Sequence, residues 1–157
     1  MNFRIISLPP FKAVTSGVDK TCDFSENGVL GKFNTYFSKL STKSQDNFVP
    51  RDFLYFDEAR GGMVWIYALT DYMEPQEYQT FDFDGGFYVT YHYTDGDNKE
   101  NERLYKEALE WIEHSEIFIL DKRENHYSMG HIITPQEIIS AQGWAQMEAF
   151  VPVKINK

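Results

Sequence analysis

The chain has 157 residues, 42% of them hydrophobic and 17% aromatic, a formal net charge of −9 and a single cysteine. That length is one or two small domains. The acidic balance argues against direct nucleic-acid binding, which needs Lys and Arg against phosphates, and the lone Cys22 excludes an internal disulfide or a cysteine-based zinc site and fits a reducing cytoplasm. No window approaches a membrane span, and the opening residues hold too short an apolar run for a signal peptide.

In chain order, Phe3 to Leu8 is a short apolar run ended by Pro9-Pro10, which predicts a strand. Phe11 to Val18 continues it as the second arm of a hairpin or as a bent strand. Leu30, Phe33, Phe37 and Leu40 recur at helical spacing and predict a helix over 30–40, weakened in its first turn by Gly28 and Gly31. Ser41 to Pro50 is a polar connection. Phe53 to Asp57 and Met63 to Leu69 flank the turn Ala59-Arg60-Gly61-Gly62 and predict a hairpin. Alternation in its second strand puts Val64, Ile66 and Ala68 on one side and Met63, Trp65 and Tyr67 on the other.

Thr70 to Gln79 links two halves. Thr80 to Phe83 and Phe87 to Tyr93 then flank Asp84-Gly85-Gly86, a hairpin signal. In the second strand Phe87, Val89, Tyr91 and Tyr93 point one way and Tyr88, Thr90 and His92 the other. Asp95 to Asn98 supplies a cap for a helix over Lys99 to His114, with Leu104, Tyr105, Ala108, Trp111 and Ile112 as its apolar stripe. Ile117 to Leu120 is a short strand. Glu124 to Gly130 fits no single element, and Pro135 to Ser140 is either a helical turn or an edge segment. Gly143 to Val153 closes the chain as a strand. One of its faces carries Ala145, Met147, Ala149 and Val151, and the other Trp144, Gln146, Glu148 and Phe150. A carboxylate between large aromatics is costly to bury without a partner, so Glu148 either faces water or sits where a negative charge is wanted.

The elements repeat as strand, helix, strand, strand. The predicted class is therefore α+β: two such modules, about 1–75 and about 76–157, in a pseudo-twofold arrangement within one domain. Its sheet would be antiparallel with helices on one face, and a ligand cleft would lie at the seam.

Four stretches carry a resemblance to a known family. They are Ile6-Ser7-Leu8-Pro9-Pro10-Phe11-Lys12-Ala13, Phe83 to Tyr91 followed by Gly96, Ala108 to Ser115 around Trp111, and Met147-Glu148-Ala149-Phe150-Val151-Pro152-Val153. In order and spacing they resemble the GyrI-like small-molecule-binding domains, also found as effector-binding domains of AraC- and MerR-type bacterial multidrug regulators. The resemblance implies an aromatic-lined pocket with buried acidic residues, open to lipophilic and often cationic compounds. It matches the pocket glutamate to Glu148, the helix-end tryptophan to Trp111, and a second acidic residue followed by tyrosine to Glu124 with Tyr127. With no added helix-turn-helix segment, a stand-alone version of the domain is expected, and the lone cysteine makes the cytoplasm its expected place.

On the residues alone Glu148 is either a pocket carboxylate, with Trp144, Phe150, Trp65 and Tyr67 for cation–π contact, or an edge-strand glutamate in solvent; the resemblance favours the first. Tyr91 and Trp111 are candidates against a strong alternative as ordinary packing between helix and sheet. His92, His114, His126 and His131 lack metal-ligand spacing, and no cofactor motif or nucleophile elbow is present. The expected function is a multidrug sensor or effector-binding protein for bulky aromatic cations, with a protein partner or homodimer as further associations. The alternatives are a hydrolase of small electrophiles using Glu148 with Tyr67 or Tyr91, and an inhibitor of a protein target.

Overall fold

A computed structural model describes residues 3–40, 51–70 and 73–157; the polar connection read over Ser41 to Pro50 lies outside them. In chain order the elements are β1 (Arg4–Leu8), β2 (Phe11–Thr15), α1 (Val29–Phe37), β3 (Asp52–Asp57), β4 (Gly62–Ala68), β5 (Thr80–Phe83), β6 (Gly86–Thr94), α2 (Asn98–Glu113), β7 (Phe118–Leu120), β8 (Met129–Ile132), α3 (Gln136–Gln142) and β9 (Gln146–Ile155). The class is α+β, and the strand pairs within each of its two units are antiparallel. No helix among the described residues is long and apolar enough to cross a membrane.

The chain divides into two compact units. The N-terminal unit is Pro10–Asp84, and the C-terminal unit is Gly85–Lys157 together with the stretch up to Pro9. In the N-terminal unit β2 is central. It pairs with β5 (Phe11↔Phe83) on one side and with β4 (Val14↔Tyr67) on the other, and β4 continues to β3 (Tyr55↔Val64). In the C-terminal unit β6 is central, between β1 (Arg4↔Thr90) and β9 (His92↔Glu148). The far side of β9 carries β8 beside Met147 to Phe150 and β7 beside Val153 to Ile155. The two units thus share one strand plan.

The hairpin expected at Asp84-Gly85-Gly86 does not form, and of the two alternatives for the first strands the hairpin does not form either. β1 pairs with β6 and not with β2, and β5 pairs with β2 and not with β6. Pro9-Pro10 and Asp84-Gly85-Gly86 instead mark the points where the chain passes from one unit to the other. Gly85 and Gly86 have φ of 72° and 142°, which free the backbone to turn there without closing a hairpin. The β3–β4 hairpin forms as expected, with Arg60 N–H donating to Asp57 Oδ1 at 3.1 Å in its turn. The ambiguous segments become a loop leading into β8, and α3.

α1 and α2 each cover one face of their own unit. Under α1, Phe33, Phe37, Val14, Tyr67 and Met73 form a buried cluster, with Phe37 stacked on Tyr67 at 5.4 Å. Gly31 is buried, and it must be glycine because an added Cβ would lie 1.8 Å from the Ser25 carbonyl oxygen. α2 is capped by Asp97, which accepts from the Glu100 N–H. It packs Leu104, Ala108 and Ile112 onto Val89, Tyr91, Ala149, Val151 and Val153.

Candidate functional site

β9 alternates as the sequence predicts. Its odd-numbered residues go under α2, so Glu148, Phe150 and Pro152 lie on the opposite face of the C-terminal unit. Register adds residues from the neighbouring strands to that face. His92 and His131 flank Glu148, Thr90 and Met129 flank Phe150, and Tyr88 lies beside Pro152. On β1, Arg4 pairs with Thr90 and Ile6 with Tyr88. Glu148 is 9% exposed.

Its carboxylate is not alone. Arg4 Nη2 donates to Glu148 Oε1 at 2.8 Å, and His92 Nε2 lies 3.3 Å from the same oxygen and 3.0 Å from Arg4 Nη2. A cation therefore already answers the buried charge. On the same face, the hydroxyls of Thr90 and Tyr88 are buried with no hydrogen-bond partner among the described residues. A buried polar atom without a partner is uncommon and expensive. Burial, with the Asp121 charge behind it, pushes the Tyr88 phenol above the usual tyrosine range, so it remains a neutral donor.

A second ionic group stands at the Tyr88 end of the face, where the Asp121 N–H donates to the carbonyl of Pro152 at 3.0 Å. Arg123 grips buried Asp121 with two nitrogens: Nε at 3.0 Å from Oδ1 and Nη2 at 2.6 Å from Oδ2. Burial raises the Asp121 pKa, but the hydrogen bonds from Arg123 and the nearby His126 outweigh it and hold the carboxyl below its ordinary value. The His126 ring lies 2.9 Å from both the Gly85 and the Glu124 carbonyl oxygens, which ties this loop to the start of β6.

The expected site residues divide. Glu148 and Phe150 share the face just described. Tyr91 and Trp111 are in the same unit but on its α2 side: Tyr91 donates to Asn101 Oδ1 at 2.8 Å, and Trp111 packs 6.4 Å from Phe118 and 6.0 Å from Phe3. Trp144 precedes β9 and is 49% exposed. Glu124 is exposed and Tyr127 half-buried, both in the loop before β8. Trp65 and Tyr67 belong to the N-terminal unit, on the side that α1 covers, where Trp65 Nε1 donates to Asp52 Oδ2 at 3.1 Å. An aromatic face was read as a second face free for a ligand, but in that unit it is the helix-packed face, because α1 itself presents Phe33 and Phe37.

Arg4, His92, Tyr88 and Thr90 lie on the same face as Glu148 and were not among the expected residues. Arg4 carried a usable signal, since a charge inside the apolar run Phe3 to Leu8 is the same kind of anomaly as Glu148. A groove of about 860 Å³ elsewhere in the unit is lined by apolar Leu109, Ile112, Ile119 and Leu120, but also by Lys122, Arg123 and Lys154 against the single carboxylate of Glu113, a positive balance that opposes a lipophilic cation. No group of three or more His, Cys, Asp or Glu side chains among the described residues is arranged to hold a metal ion.

No protein-family model matches the sequence, and no curated protein matches it. Solved structures do match in fold. The EcmrR C-terminal domain superposes with a TM-score of 0.60 at 15% identity, over 98% of this chain and 99% of that one. SAV2435 bound to tetraphenylphosphonium gives 0.55 at 15% identity, over 98% and 94%. A hydrolase from Listeria innocua gives 0.59 at 12% identity, over 98% and 92%. The chain has the GyrI-like fold. At these identities the likeness extends to the GyrI-like backbone plan and not to the side chains, so the chemistry must be read from this chain's own residues.

Proposed function

We propose that this GyrI-like chain binds a bulky, lipophilic small molecule on the Glu148 side of its C-terminal unit, with a preference for cations, and serves as the ligand-sensing part of a regulatory system. The observation that carries the reading is the buried Glu148 carboxylate beside Phe150 and two buried, unpartnered hydroxyls. Apolar surface supplies affinity, a carboxylate selects charge, and the Thr90 and Tyr88 hydroxyls hold hydrogen-bonding capacity that a ligand or its water would use. Two structures of the same fold support the choice: one was solved with tetraphenylphosphonium, and another is the C-terminal domain of EcmrR, which is also known in a DNA complex. A hydrolytic role would need Glu148 to exchange a proton with substrate. Its engaged oxygen instead accepts from Arg4, which suits charge recognition better.

Calorimetric titration with tetraphenylphosphonium and with neutral triphenylphosphine oxide tests this. Glu148→Gln leaves Arg4 as an uncompensated positive charge, so phosphonium binding should fall by about tenfold or more while the neutral probe changes little. Equal losses for both probes, or no binding of either by the unaltered chain, would refute the proposal.

A further inference from the structure

The two carboxylates on the candidate face are paired in different ways. Asp121 is held by a fork, with Arg123 engaging it through both Nε and Nη2. Glu148 is held by one nitrogen of Arg4, Nη2, which reaches one oxygen, Oε1, at 2.8 Å. A fork fixes geometry and adds a second charge-assisted bond, whereas a single contact does neither. The burial of the partners differs as well. The Arg4 side chain is 60% exposed and the Glu148 side chain 11%. Arg4 is also the first residue of β1, a strand paired only with β6 among the described residues, and strand ends open most easily.

We propose that Arg4 is an exchangeable counter-ion that a cationic ligand displaces from Glu148, so that Arg4 sets the charge selectivity of the site. This rests on the ligand-binding reading above. While Arg4 is in place, the pair presents no net charge to an incoming molecule. A ligand cation that replaces the guanidinium swaps one positive charge for another, and Arg4 moves out into water, where most of its side chain already lies. His92 Nε2, 3.3 Å from Oε1, remains beside the carboxylate during the exchange, so Glu148 is not left without a neighbour. A neutral ligand has no means of breaking the pair and binds without moving it. The wild-type chain is therefore less selective for cations than a bare buried glutamate would be.

The test is Arg4→Gln, titrated with tetraphenylphosphonium and with triphenylphosphine oxide, alongside Arg4→Lys, Glu148→Gln and the double variant Arg4→Gln/Glu148→Gln. Removing a competitor that makes one partly exposed ion pair should tighten phosphonium binding by about fivefold. The neutral probe should be unchanged, Arg4→Lys should resemble wild type, and the gain from Arg4→Gln should vanish when Glu148 is also Gln. If the wild-type chain binds phosphonium and Arg4→Gln binds it equally or less well, or loses both probes together, the counter-ion role is refuted while ligand binding stands. If neither probe binds wild type or Arg4→Gln, the underlying ligand-binding reading fails and takes this one with it.

Discussion

The two compact units are built on one strand plan and differ in what they put on the face away from their helix. In the N-terminal unit that face carries Ala13, Phe53, Val64, Ile66 and Phe83, all buried, and its charged groups Arg51 and Asp57 stand at the two ends of β3. In the C-terminal unit the matching face carries Arg4, His92 and Glu148 at one end, Asp121 at the other, and unpartnered hydroxyls between them. A shared backbone plan therefore does not dictate shared work. One unit uses the face as core, and the other keeps polar groups there whose burial costs stability. Such a cost points to a binding role.

The largest expected effect tests the helix side of the N-terminal unit. Phe37 packs on Phe33, Tyr36 and Tyr67 at 4.6, 4.8 and 5.4 Å. Phe37→Ala should cost about 3–5 kcal/mol in urea unfolding; a loss near zero would show that α1 does not cover this face. Next, the contrast between the two faces can be broken by transplanting the charge. Val64→Glu puts a carboxylate on the apolar face in mid-strand, and it should destabilise by about 3 kcal/mol or more. If it is tolerated as well as Glu148 is, the two faces are equivalent and the contrast fails.

A smaller effect concerns acid. Asp121 titrates below its ordinary value, so its contribution to stability is full above the unfolded carboxylate pKa and is lost as pH falls through the lower folded value. Asp121→Asn should be less stable than wild type at neutral pH and should lose less of its stability between about pH 5 and pH 2. Parallel acid-unfolding curves would sever Asp121 from this role. The smallest pair sharpens the distinction between the two sides of the C-terminal sheet. Tyr91→Phe deletes a hydroxyl that donates to Asn101 and should cost about 1 kcal/mol. Tyr88→Phe deletes one with no partner and should be neutral or mildly stabilising. A cost for Tyr88→Phe as large as that for Tyr91→Phe would mean the Tyr88 hydroxyl is satisfied after all.

Local physics made much of this chain readable. Period-two alternation placed Glu148 and Phe150 together, and helical spacing with a cap from the Asp95 to Asn98 loop located α2 almost to its ends. The strand–helix–strand–strand order also foretold the repeated plan, because each of these signals lives within a few neighbouring residues. Pairing is different. Asp84-Gly85-Gly86 and Pro9-Pro10 are turn signals in either outcome, and only competition among whole strands decides that β1 joins β6 and β5 joins β2. That choice brings Arg4, 144 positions away in sequence, onto Glu148. It follows from register, which no local pattern encodes. Which face a helix covers is likewise settled by what the helix brings: α1 offers phenylalanines and takes the side of Trp65 and Tyr67, while α2 offers Leu104, Ala108 and Ile112 and takes the aliphatic side of β9. The sequence by itself determined most of the elements, the alternation along their strands and the odd charge in the last strand, leaving β8 and α3 open. Tertiary structure alone decided the partner of that charge, because an ion pair between distant strands depends on the alignment of the strands between them.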